Sequence, residues 1–296
     1  MNSNKVLNRL LSITIIVFVL ISLATIPITE PTEMILKPNI EVQDISKKTN
    51  IFLQNKDGYL VKTEIILEEG KKENKIRKII EYLKEDNKSI PKNLTGYLPS
   101  NTQLLDVFID RDYITLNFSK ELLKTECLDQ MVAGIVYSLL EIPSIKKISL
   151  KVEEKEIPGY EEILTNSIAI NPSYQFINRK DLSKVVIYYF DKEKNLVPVT
   201  KYINDKREKI EIIVDELKNS QKNLVSYLDD NIELLDYQEE GNVLILNFNK
   251  QLKNNSDDIT DYNLQSIASS VFNNYGVNTV MFEIDKTIIK YVKKSE

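Results

Sequence analysis

Hydrophobic positions along the chain fall into three patterns. The first is an unbroken run, LLSITIIVFVLISLATIPIT, with no charge from Leu10 to Thr29. At about 1.5 Å per residue in a helix, it reaches roughly the 30 Å thickness of a hydrocarbon core. Lys5 and Arg9 precede it and Glu30 closes it. Positive flanks stay cytoplasmic, so the run predicts a single-pass transmembrane anchor with the bulk of the chain extracytoplasmic. A cleaved signal ending near Ser22-Leu23-Ala24, giving a secreted protein, is the alternative. No Cys ends the run, so it offers no lipid-anchoring thiol. Residues 1–9 form a cytoplasmic tip, and 30–49, with Pro31 and Pro38, an extended spacer.

The second pattern has helical period. Ile76, Ile79, Ile80 and Leu83 share one face, as do Ile210, Ile213, Val214 and Leu217. Two further stripes are Leu128, Val132, Ile135, Val136, Leu139 and Leu264, Ile267, Ala268, Val271. The third pattern is short extended runs: 50–54, 60–67, 113–118 and 147–152, then 185–190, 196–202 and 279–284. Asp57-Gly58 signals a hairpin. In 113–118, Ile114, Leu116 and Phe118 point one way and Asn117 the other. Asp110-Arg111-Asp112 and Glu240-Gly241-Asn242 read as turns rather than metal sites.

These patterns repeat. Residues 94–122 align without a gap on 224–252, with 12 of 29 positions identical. The shared blocks are Leu104-Leu105-Asp106 with Leu116-Asn117-Phe118, and Leu234-Leu235-Asp236 with Leu246-Asn247-Phe248. So long a period implies a duplicated domain rather than a solenoid. The expected fold is α+β: two tandem β-β-α-β-β-α-β domains, 50–156 and 185–290, with helices on one face of a mixed sheet. A linker, 157–184, joins them and packs on the first domain through Tyr160, Ile163 and Leu164; 291–296 is a tail.

The Leu-Leu-Asp strand and the Leu-Asn-Phe-Ser/Asn-Lys strand end, written twice, resemble the GerMN domain of GerM-like spore germination proteins. The resemblance implies an extracytoplasmic, noncatalytic module linked to sporulation or germination. It also implies similarity to ring-building modules that pack side by side, so oligomerisation is possible. Members are often lipoproteins; this chain has a plain apolar run instead.

Composition narrows the chemistry. The net charge is −5, which disfavours nucleic-acid binding. His is absent, removing the commonest general base and metal ligand. The single Cys127 reads as a small buried residue. No cofactor motif, catalytic residue or metal site is expected. The repeat-signature positions Asp106, Asn117, Asp236 and Asn247 read as structural, the acids on an exposed strand face and the amides holding backbone groups at strand ends. The expected function is a membrane-tethered binding or assembly module for an envelope protein or cell-wall partner. The alternatives are a wall hydrolase using paired carboxylates and an extracytoplasmic ligand sensor using a cleft between repeats.

Overall fold

A computed structural model describes residues 33–35, 48–67, 70–173, 182–253 and 256–294. The anchor-or-signal expectation for 10–29 lies outside the described residues. Within them, no helix is long and apolar enough to cross a membrane.

The first repeat opens with a hairpin, β2 (Lys48–Asn55) and β3 (Leu60–Ile66), followed by helix α1 (Lys72–Tyr82). A two-residue strand β4 (Leu94–Thr95) precedes β5 (Leu104–Asp110) and β6 (Tyr113–Phe118). Helix α2 (Leu128–Leu140) leads to β7 (Lys147–Val152) and the short β8 (Lys155–Glu156). The second repeat follows the same course. It runs through β9 (Ser183–Phe190), β10 (Leu196–Ile203), α3 (Lys209–Leu217), β11 (Leu234–Glu240) and β12 (Val243–Phe248). It ends with α4 (Asp257–Asn274), β13 (Thr279–Ile284) and β14 (Thr287–Lys293).

The helical stripes face inward. Ile76, Ile79 and Ile80 of α1 are buried, as are Ile210, Ile213 and Val214 of α3. On β6, Ile114, Leu116 and Phe118 are wholly buried, and Leu244, Leu246 and Phe248 of β12 repeat that face. Each such side chain contributes about 1.5–3 kcal/mol by leaving water. The 18-residue helix α4 carries Asp257 and Asp258 in its first turn, where carboxylates favour the positive helix end.

The strands do not form one mixed sheet per repeat, as the sequence suggests. Each repeat divides them between two sheets. Strands β5-β6-β7-β8 make one sheet, antiparallel at β5/β6 and parallel at β6/β7. Strands β11, β12, β13 and β14 make its counterpart. The opening hairpins of both repeats join in a third sheet, ordered β4-β2-β3-β10-β9. The helices therefore pack on several sheets, and one continuous hydrophobic core runs through both repeats. The spacer expectation also needs correction. Strand β1 (Glu33–Ile35) pairs in parallel with β14, adding a fifth strand to the last sheet.

The interrepeat segment is built into the structure. Ile157, Leu164 and Ile170 are buried, Tyr160 is partly buried and packs against the core, and Leu164 bridges to Ile148. Ile163, expected to pack inward, is 54% exposed, because the chain turns Leu164 into the core and its neighbour outward.

Candidate functional site

The two repeats meet where β3 lies antiparallel to β10, with Lys62 paired to Leu196. Two residues along the ladder, Leu60 would face Pro198, which has no N–H to donate. Asn171 fills that rung. Its Oδ1 accepts the Leu60 N–H at 2.9 Å, and its Nδ2 donates to the carbonyls of Leu60 and Pro198, each at 2.8 Å. The hairpin turns at this junction also touch. Asn55 and Asp191 end β2 and β9, and each accepts two backbone N–H groups of its own turn. Asn55 Nδ2 then donates to Asp191 Oδ2 at 3.1 Å, with both residues buried. Such a pair in the interior is satisfied on all sides, which favours one relative placement of the turns.

Serine side chains bond backbone groups of β2 and β9 in the shared sheet. Ser138 of α2 accepts the Phe52 N–H, and Ser270 of α4 accepts the Tyr188 N–H, both at 2.9 Å. Covering strand groups in this way removes a template for unwanted pairing.

A cleft of about 480 Å³ opens over the junction. Asn50, Lys62 and Glu64 of the first repeat line it, with Tyr188, Phe190 and Leu196 of the second. Helix α4 adds Tyr262, Gln265, Phe272 and Asn273. Charges on its walls are largely paired: Lys62 with Glu141 at 2.7 Å, Lys48 with Glu64 at 2.6 Å and Lys290 with Asp261 at 3.4 Å. At one end Tyr227 stacks on Tyr262, with centroids 4.9 Å apart and planes at 23°. Phe190 meets Tyr262 edge-on at 5.1 Å. The Lys194 ammonium sits 4.8 Å from the Tyr262 centroid, and contact with the Tyr262 hydroxyl raises its pKa. Burial raises that of the Tyr188 hydroxyl.

The aromatic end belongs to the second repeat alone. At the matching place in the first, Gln54 donates to Gln130 at 3.4 Å. A glycine explains the difference. Tyr97 lies so close over Gly134 that a Cβ there would come within 2.3 Å of the ring. In α4 the equivalent residue is Ser266, which bonds to the Tyr188 carbonyl. The tyrosine of the second repeat, Tyr227, therefore stays half-buried and stacks on Tyr262. The sequence signal for this cluster was available: aromatics stand in the second repeat where the first has glutamines.

The repeat-signature residues lie elsewhere. Asn117, assigned by alternation to the polar face, is buried and reaches the turn after β7. There Glu153 and Glu154 have φ of 49° and 64°. Asn117 Oδ1 accepts the Glu154 N–H at 2.9 Å, and its Nδ2 donates to the Glu154 carboxylate. In the second repeat Asn247 Oδ1 accepts the Lys286 N–H at 3.0 Å, between β13 and β14, where Asp285 and Lys286 have φ of 48° and 65°. Each asparagine holds a tight turn whose left-handed residues are intrinsically costly.

Asp106 and Asp236 sit beside β-bulges on the edge strands β5 and β11. Each carboxylate accepts the N–H of the next residue, Val107 at 2.8 Å and Tyr237 at 2.9 Å. The bulge breaks alternation, so Leu105 and Leu235 are exposed beside the acids rather than turned to the opposite, buried face. Asp236 borders a shallow groove of about 420 Å³ with Glu211, Asp215 and Glu233. Lys286 bonds Asp236 at 2.6 Å and lowers its pKa, whereas a glycosidase acid needs its pKa raised. Cys127, expected to be buried, is exposed just before α2. Among the described residues no group of three or more His, Cys, Asp or Glu is placed to hold a metal.

Comparison with known proteins places this architecture. The chain is similar to the tandem GerMN domains of the sporulation protein GerM from Bacillus subtilis, with a TM-score of 0.73 and 19% identity over 83% of this chain and 96% of that one. The first GerMN domain of that protein matches at 24% identity and TM-score 0.34, over 37% of this chain and 85% of that one. A putative lipoprotein from Clostridium perfringens matches at 22% identity and TM-score 0.28, over 43% and 93%. No curated protein is a significant sequence match. The family model described as "Germane: Sporulation and spore germination" matches residues 50–158 and 186–288, most of the chain, which therefore belongs to that family.

Proposed function

We propose that this protein is a noncatalytic binding or assembly module, tethered to the cell membrane by residues 10–29 and facing outward, that acts in sporulation or germination. The observation that carries the binding reading is the junction at Asn171 and Asn55–Asp191, where two repeats become one body with a preformed cleft. Preformed concave sites suit recognition without large rearrangement. Family membership supports the sporulation or germination setting. The charged flanks of the apolar run support the tether and its direction.

A noncatalytic role is favoured by the state of the acids. The edge-strand acid Asp236 is held ionised by Lys286, and four of the five cleft acids, Glu64, Glu141, Glu193 and Asp261, are paired with lysines. No histidine exists to serve as a base. The test is crosslinking in intact sporulating cells, followed by capture of the full chain from membranes. An envelope protein or wall polymer crosslinked through cleft or edge positions, at the time the chain is expressed, supports the proposal. Recovery of the chain alone, or from the cytosol, contradicts it.

A further inference from the structure

We propose that the cleft between the repeats binds an uncharged glycan. The inference rests on the binding-module reading for its setting. Its test is separate, because purified chain either takes up sugar or does not, whatever partners it has in the cell.

The first argument is charge. Four of the five acids lining the cleft, Glu64, Glu141, Glu193 and Asp261, pair with Lys48, Lys62, Lys56 and Lys290, at 2.6, 2.7, 2.5 and 3.4 Å, and Asp258, Lys194 and Lys294 complete its charged lining. A charged ligand that competes for these groups would break the pairs, and breaking a partly buried pair leaves an uncompensated charge. A neutral ligand leaves them intact and can still accept from the lysines and donate to the carboxylates.

The second argument is shape and chemistry together. The lining sets the half-buried Tyr262 ring, backed by the buried Phe190 and Phe272, beside planar amides such as Gln265 and Asn273. A sugar ring has the matching duality, with an apolar C–H face for an aromatic ring and an equator of hydroxyls that both donate and accept. A volume of about 480 Å³ falls within the usual range for small-ligand sites.

The third argument is divergence between repeats. The duplication wrote a polar Gln54–Gln130 contact once and the Phe190–Tyr227–Tyr262 cluster once. Packing alone is satisfied by the first solution. The second sets the Tyr262 ring on the cleft wall and leaves Tyr227 half-buried behind it.

The experiment is isothermal titration calorimetry of the full chain, in a non-glycosidic detergent, with the tetramer of N-acetylglucosamine and with cellotetraose. At least one of these neutral probes should give saturable heat. Tyr262→Ala and Gln265→Ala should each weaken it about tenfold or more, while Asp106→Asn, far from the cleft, leaves it unchanged. Raising salt from about 0.05 to about 0.5 M should alter the affinity less than about twofold, because no net charge is engaged. Circular dichroism separates lost binding from lost fold, and half-buried Gln265 on the face of α4 is the variant expected to stay folded. Absence of saturable heat with both probes overturns the proposal. So does heat that survives both cleft substitutions, or tighter, salt-sensitive binding of a polygalacturonate tetramer.

Discussion

Asn171 closes the backbone rung beside Leu60 that Pro198 cannot close. A loop carboxamide stands in for a missing peptide N–H at the centre of the sheet that joins the repeats. Asn171 holds φ at 43°, a left-handed value that asparagine tolerates better than most residues. Asn171→Ala removes three hydrogen bonds and should destabilise the protein by about 3 kcal/mol, at roughly 1 kcal/mol per bond. Adding Pro198→Val restores a donor to β10 and should recover part of that loss. Denaturant unfolding of the two single variants and the double variant measures the coupling, and strict additivity would mean the rung is not shared.

The signature asparagines should matter through the turns they hold. Asn117→Ala leaves the Glu154 N–H without its acceptor and should cost about 1–2 kcal/mol. Asn247→Ala should act in the same direction through Lys286. Glu154→Gly relieves the left-handed strain at φ 64° and should partly rescue the first variant. Thermal unfolding with and without the glycine checks this.

Gly134 and Tyr97 form a pair that the second repeat has exchanged. Gly134→Ser would set a Cβ about where the tyrosine ring now lies, at 2.3 Å, so the ring must leave its site. Overpacking of this kind costs about 1–3 kcal/mol. Near-ultraviolet dichroism should show an altered tyrosine environment, and Tyr97→Ala in the same chain should relieve the clash while leaving a void.

The bulge acids guard edges. Asp106 and Asp236 are exposed, so Asp106→Asn should shift stability by less than about 0.5 kcal/mol. Replacing both with valine adds apolar, β-prone side chains beside the exposed Leu105, Phe108 and Leu235. Sedimentation velocity should then show stronger concentration-dependent self-association than the parent chain does. A profile identical to the parent's would assign the acids no protective role.

Much of this architecture could be read from residue patterns, and the misses have a common cause. The Ile76–Ile79–Ile80 stripe, its partner at Ile210, and the Leu116–Phe118 face are local periodicities, and they appear where expected. Leu105 went to the wrong face because alternation assumes an unbroken strand, and the bulge in β5 overrides it. Asn117 is more buried than a polar strand face implies because the turn at Glu154 folds over it. The shared sheet carries no local signal at all, since only Lys62 and Leu196, 134 positions apart, mark the junction in the ladder. Asn171-Pro172 falls within the predicted linker, 157–184, and nothing near it in sequence points to Leu60. The aromatic end of the cleft lay in the flanks of the duplication, where the repeats match by pattern more than by identity.

If one sheet and one core unite the repeats, they should unfold together. Differential scanning calorimetry of the full chain tests this most directly. The account predicts a single transition whose calorimetric and van't Hoff enthalpies agree, splitting or broadening when Asn171 is replaced by alanine. Two separate transitions in the unmodified protein, one per repeat, would contradict it.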